Sequence, residues 1–179
     1  MMVKSTLSAI ILHLSLLNSS FSQSLTSEEE KLYALIMEYR QELDLPAIPL
    51  SKSLTYVAQT HVKDLENNSP DEGACNMHSW SNKGEWSPCC YTPDHKQASC
   101  MWDKPRELTS YTGNGFEISH WSSGRATALG SLNGWKGSGG HNTVIINQGI
   151  WSRHNWNAIG IGIYGGYAVV WFGSELDKE

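Results

Sequence analysis

One histidine of this chain sits where its surroundings could do chemistry. His141 closes the glycine-rich run Trp135-Lys-Gly-Ser138-Gly-Gly-His141, and an apolar glycine-alternating block, Ile159-Gly-Ile-Gly-Ile-Tyr-Gly-Gly-Tyr-Ala-Val-Val-Trp-Phe-Gly173, follows after a spacer. An imidazole can ligate a metal or hold a proton at either nitrogen, and which it does is set by the partner of the other nitrogen. Two imidazoles and a carboxylate are the minimum set for a zinc or copper site with an open position. The chain contains no His-Glu-x-x-His and no Gly-x-Ser-x-Gly, so spacing alone signals neither a zinc protease nor a serine hydrolase. Any partners of His141 must be brought from elsewhere by the fold.

The second group of reactive side chains is the cysteines. All four, Cys75, Cys89, Cys90 and Cys100, lie in one stretch, an even number that fits an oxidising compartment. A bond between the adjacent Cys89 and Cys90 needs a strained ring. Cys75 and Cys100 are therefore each expected to take one of that pair, with the partner of each left open. A zinc site would call for two separated Cys-x-x-Cys pairs, which are missing. Export is also the reading of the N-terminus. Residues 1–22 carry one cation, Lys4, an apolar stretch from Leu7 to Leu17, and small residues at Ser20 and Ser22 that suit cleavage before Gln23. That is the pattern of a signal peptide, leaving residues 23–179 as a single domain. No apolar run is long enough to span a bilayer. The net charge of −5 argues against nucleic acid and against an anionic membrane surface.

Three sets of elements must position these groups. Ser27-Glu28-Glu29-Glu30 reads as a capping box, and Leu32, Leu35, Ile36, Tyr39 and Leu43 then follow helical spacing until Pro46 and Pro49. A second helix starts at Ser51 or Ser53, puts Leu54, Ala58, His61 and Leu65 on one face, and stops before Asn67. His61, on that apolar face, reads as a core histidine with a hydrogen-bond partner. From Asp71 to about Trp121 periodicity disappears, and cysteine crosslinks are expected to hold the segment. A short helix through Ala126, Leu129, Leu132 and Trp135 is expected to end at Gly137, Gly139 and Gly140. Ile159, Ile161 and Ile163 alternate with Gly160 and Gly162, a strand with one apolar and one bare face against which another backbone can pack. Gly165-Gly166 turns the chain into a returning strand, Tyr167 to Phe172.

Taken in order, the helix with Tyr39-Arg40, the second helix with His61, His78-Ser79, Gly115-Phe-Glu-Ile118, Trp135 with Ser138-Gly-Gly-His141 and the Ile-Gly-Ile-Gly block resemble the CAP superfamily. That family holds the cysteine-rich secretory, antigen 5 and pathogenesis-related 1 proteins, also called SCP domains. The resemblance runs from about Thr26 to Gly173. It implies an α+β fold, a three-layer α-β-α sandwich with a small central sheet, here with a disulfide-held loop insertion between His78 and Glu117. It also implies a shallow cleft of two histidines and two glutamates, whose histidines hold a divalent metal in some members. His78 matches the first histidine, Glu117 the first glutamate and His141 the second histidine. Ser138 stands where many members have the second glutamate, which departs from the full tetrad.

On this reading His78 and His141 can bind zinc or copper, although no cofactor is required, and Glu117 and Ser138 complete the cleft. The two histidines are 63 residues apart, so only the fold can gather them. Each residue alone also has an ordinary role: His78 bonded to backbone in a loop, Glu117 solvated on a strand, His141 satisfying a turn carbonyl. His95, His120 and His154 have only loop context. Eight tryptophans, four of them in Trp-Ser (Trp80, Trp86, Trp121, Trp151), either pack the loop-rich region or stack on sugar rings or sterol-like planes. The expectation is a secreted, monomeric, non-catalytic binding module for a small lipid, a sterol, a metal or an extracellular protein. A metal-dependent hydrolase using His78, His141 and Glu117, and a disulfide-stabilised structural protein, are the alternatives.

Overall fold

Thr26 caps the first helix, one residue earlier than Ser27. Its hydroxyl accepts from the Glu29 amide while the Glu29 carboxylate accepts from the Thr26 amide, which closes the capping box on Thr26 and Glu29. The computed structural model describes residues 24–179, so the signal peptide expected at residues 1–22 lies outside the described residues. Helix α1 spans Ser27–Gln41 and buries Leu32 and Ile36. The register shift has a cause in tertiary structure. Buried Glu29 also accepts from Gln59 Nε2 and the Ile163 amide, and so ties α1 to the second helix and to the sheet.

Helix α2, Lys52–Asn68, is capped by the Ser51 hydroxyl on the Leu54 amide and ends at Ser69 in the left-handed region. It runs through Asn67 and Asn68, beyond the expected stop, because Pro70 rather than the asparagines forces the break. Among the described residues the sheet has three antiparallel strands in the order β1 (Phe116–Trp121), β3 (Tyr167–Gly173), β2 (Ala158–Tyr164). β2 and β3 form the hairpin through Gly165, whose φ is +55°. The bare glycine face meets α2. A Cβ on Gly160 would come within 2.1 Å of the Leu54 carbonyl carbon, and one on Gly162 within 2.4 Å of the Ala58 oxygen. The second helix can therefore lie on the sheet backbone itself.

Side chains alternate across β1 and β3 and build two cores. Ile118, Val170 and Phe172 join Ile159 and Ile161 under α1 and the helix that carries Leu132 and Trp135, while Val169 and Trp171 pack under α2 with Leu54, Val57, Ala58 and Trp80. Helix α5 is Ala128–Gly137, with Ser131, Leu132 and Trp135 buried and Leu129 exposed. Gly139 and Gly140 do not simply end it. They open a further helix, α6, Gly139–Ile145, so His141 lies in its first turn. The result is an α+β sandwich with helices on both faces of a small sheet. The disulfide-held insertion contains two one-turn helices, α3 (Ala98–Trp102) and α4 (Lys104–Leu108), and its far end is β1 itself.

The disulfides join Cys75 to Cys90 and Cys89 to Cys100. Trp80 pairs with Cys89 through two backbone hydrogen bonds, so the crosslinked loop doubles back beside the segment that holds His78, Ser79 and Trp80. Trp80 is buried and Trp86 packs edge-on against it, its indole N–H donating to the Ser81 carbonyl. Packing thus accounts for these two tryptophans. Trp121 is 54% exposed and Trp151 is half-buried.

Candidate functional site: a glutamate between two imidazoles

Glu117 lies on β1, opposite Trp171 of β3, and both side chains face α2. Helix α2 carries His61 on the face that rests on the sheet. The His61 ring is fully buried and meets Trp171 edge-on, with 6.3 Å between ring centroids. From the other side comes the disulfide loop with His78. The carboxylate of Glu117 stands between the two rings. Its Oε2 accepts from His61 Nδ1 at 2.5 Å and its Oε1 from His78 Nδ1 at 2.7 Å.

The proton count on this network follows from its acceptors. His61 Nε2 also donates, to the Ser79 carbonyl at 2.8 Å, and a carbonyl can only accept. The carbonyl fixes a proton on Nε2, and with Glu117 ionised the proton between Oε2 and Nδ1 belongs to the ring, so the pair is an imidazolium facing a carboxylate. The energetics agree in direction. Burial works against the charge on His61, but the Glu117 carboxylate outweighs it and the histidine's pKa is raised. Burial likewise works against the Glu117 charge, and His61 and then His78 outweigh it, so that carboxyl is lowered. Trp80 contributes as well. It stacks on the His61 ring at 4.2 Å and 5°, offering its π face to the cation, while the buried Lys104 ammonium lies 5.4 Å from the centroid of the same indole.

This arrangement sets the tautomer of His78. Donating Nδ1–H to Glu117 leaves Nε2 with its lone pair, and the side chain is 18% exposed. Tyr91 packs edge-on against the same ring at 5.2 Å and is held by its amide on the Ser79 hydroxyl. His141 is near enough to respond to this centre. Burial is the first cause of its lowered pKa, and the neighbouring His78 and His120 imidazoles oppose a positive charge on it. His120 itself sits over Gly134, where a Cβ would come within 2.9 Å of its Nδ1, and edge-on to Trp135 at 6.3 Å. Ser138 is half-buried at the junction of α5 and α6 and its side chain makes no capping bond.

Of the residues picked from the sequence, the structure joins His78 directly to Glu117, and the His78 imidazole is among the groups that lower the pKa of His141. Ser138 has no hydrogen bond to any of them among the described residues. Each oxygen of Glu117 accepts from one imidazole donor. Among the described residues no three His, Cys, Asp or Glu side chains are grouped so as to hold an ion. Glu117 stands behind His78 as an orienting carboxylate. The missed member is His61. A histidine on the apolar face of α2 was legible as buried and bonded, but not that its partner is Glu117. The usable signal was chemical: a fully buried imidazole calls for a buried acceptor, and Glu117 alternates onto the same sheet face.

Comparison with known proteins yields one family and several solved structures of similar fold. A family model described as the cysteine-rich secretory protein family, CAP, matches residues 33–168. Set against curated protein sequences, the chain matches none. Among solved structures it is similar to an outer surface protein of Borrelia burgdorferi, at 19% identity and a TM-score of 0.56, over 85% of this chain and 96% of that one. It is also similar to an extracellular protein containing a SCP domain from Bacillus anthracis str. Ames, at 16% identity and a TM-score of 0.55, over 86% of this chain and 45% of that one. A cysteine-rich secretory protein of Staphylococcus aureus subsp. aureus Mu50 aligns at 12% identity and a TM-score of 0.56, over 86% and 40%. The chain thus spans less than half the length of the last two. At these identities the likeness is one of fold.

Proposed function

This chain belongs to the CAP family, the cysteine-rich secretory proteins, and from that premise we propose that it is a secreted, non-catalytic binding module whose ligand seats against His78 and His141. The observation that carries this is the saturation of Glu117 by His61 and His78. A carboxylate that holds two imidazole protons in a buried network is a poor acceptor for a third, so the centre is better suited to present His78 Nε2 than to shuttle protons. The disulfides and the surface or extracellular descriptions of two of the similar structures support export. A ligand for this cleft is a small lipid, a sterol, an extracellular protein or a transiently held divalent cation. Two imidazoles without a third ligand bind zinc or copper weakly, so a resident ion does not fit.

The test is titration of the purified chain with zinc, copper and a panel of sterols and fatty acids, with His78→Ala and His141→Ala in parallel. The proposal expects saturable binding by at least one probe that both variants weaken. Absence of binding to every probe, or binding that both variants retain in full, would overturn it. A hydrolase reading draws on the free Nε2 of His78 as a general base. A His141→Ala variant with unchanged cleavage of any substrate would remove it.

A further inference from the structure

Phe116 and Glu117 are successive residues of β1, so they point to opposite faces, and Phe116 is the hub of a second, separate group of side chains. Its ring centroid lies 5.1 Å from His154, 5.2 Å from Trp151, 5.6 Å from Trp156 and 5.9 Å from Trp102. Trp156 is buried and supports the others from beneath, stacked on His154 at 5.0 Å, whereas Phe116, Trp102, Trp151 and His154 stay half-exposed. An aromatic cluster serving only the core would be covered. This one borders a cavity of about 390 Å³ whose floor is Phe116 and His154. That volume lies within the usual range for a small-molecule site.

The rim of the cavity is polar. Arg106 is fixed by Asp103 and by the Asn114 side chain, which keeps its planar fork in place at the mouth. Ser174 holds His154 Nδ1 at 3.2 Å. Glu175 lies across the mouth on Gly113, where a Cβ would come within 2.7 Å of its Cγ, and its carboxylate takes no hydrogen bond among the described residues. The charges decide the ligand class. Arg106 is paired with Asp103 and Glu175 is in no ion pair among the described residues, so the rim leans negative and repels an anion. A plain lipid tail would dehydrate Arg106 and Asn114 and leave Glu175 without a partner. The remaining chemistry is a neutral molecule with an apolar C–H face for the aromatic floor and hydroxyls for the rim. Hydroxyls can donate to Glu175 and accept from Arg106 and Asn114.

We propose that the pocket between Phe116, His154, Arg106 and Glu175 is a binding site for a neutral saccharide, distinct from the cleft of His78 and Glu117. A pyranose ring lays its C–H face on Phe116, with the His154 ring standing edge-on beside it, and its hydroxyls bond to the Arg106, Asn114 and Glu175 side chains. The site works independently of the histidine cleft, since its residues come from the other face of β1 and from the segments that flank it.

The experiment is a nuclear magnetic resonance titration of the purified chain with glucose, galactose, mannose, N-acetylglucosamine and their disaccharides, beside glucuronic acid as an anionic control. At least one neutral probe is expected to shift the indole N–H signals of Trp151 or Trp102. Arg106→Gln and Glu175→Gln, both exposed positions that leave the core untouched, are each expected to weaken binding by about tenfold or more, the worth of a hydrogen bond to a charged group. His78→Ala should leave saccharide binding unchanged, which separates this site from the cleft. No response to any neutral probe, tighter binding of glucuronic acid, or full retention in both rim variants would overturn the proposal.

Discussion

Replacing His61 by leucine removes the imidazolium and leaves Glu117 buried as a charge with His78 as its single donor. The volume is nearly conserved, so the cost comes from the broken pair and from the Ser79 carbonyl, which loses its donor. Breaking a buried pair on one side costs about 3–5 kcal/mol. For a chain of this size each kcal/mol corresponds to about 2–4 °C, so His61→Leu should lower the melting temperature by about 6–20 °C near pH 6. The pH dependence has a fixed sign. The pKa of His61 is raised in the fold, so its contribution is complete below the ordinary value of 6.5 and fades as pH rises through the raised value. That of Glu117 is lowered, so its contribution is complete above the ordinary 4.5 and fades as pH falls through the lowered value. The gap between wild type and variant should therefore be widest between these ordinary values and narrow on both sides. The double variant His61→Leu with Glu117→Leu should recover most of the loss, because an apolar pair carries no stranded charge. Urea unfolding across pH measures all three proteins. A gap below about 1 kcal/mol at pH 6, or one that stays constant with pH, would refute the reasoning.

Gly162→Ala drives a methyl to 2.4 Å from the Ala58 oxygen, where backbone cannot step aside, and should cost at least about 2 kcal/mol in urea unfolding. Gly137→Ala, with nothing within 4 Å, should be neutral or slightly stabilising in the same assay. Thr26→Ala removes the hydroxyl that caps α1 and should cost about 1 kcal/mol by thermal unfolding. The Cys75→Ser, Cys90→Ser double variant opens a crosslink of sequence separation 15 and should cost about 3 kcal/mol, read as a lower melting temperature.

Much of the frame was legible because its signals are local. Alternation of Ile159, Ile161 and Ile163 with glycines announced both the strand and the helix that lies on it, and the close approach of Leu54 and Ala58 is the physical form of that bare face. The capping box slipped by one residue because two candidate hydroxyls adjoin, and the choice is made by the contacts of Glu29 to Gln59 and Ile163, which are far away in the chain. His141 looked like a turn residue since glycines at 139 and 140 usually break a helix. Here α6 resumes after a single residue, Ser138, because Val144 and Ile145 are drawn into the core. His78 and Glu117 could be named from motif order. That His61 completes them could not, since it depends on α2 crossing the sheet at the strand pair that carries Glu117 and Trp171.

The central claim is that Glu117 holds His61 as an imidazolium and fixes His78 with its proton on Nδ1, leaving Nε2 free toward the cleft. Two-bond ¹H–¹⁵N correlation spectra of the histidine rings at neutral pH read this directly. The account predicts two protonated nitrogens on His61, and on His78 a protonated Nδ1 with a bare Nε2. A neutral His61, or a His78 ring protonated at Nε2 with a bare Nδ1, would contradict it.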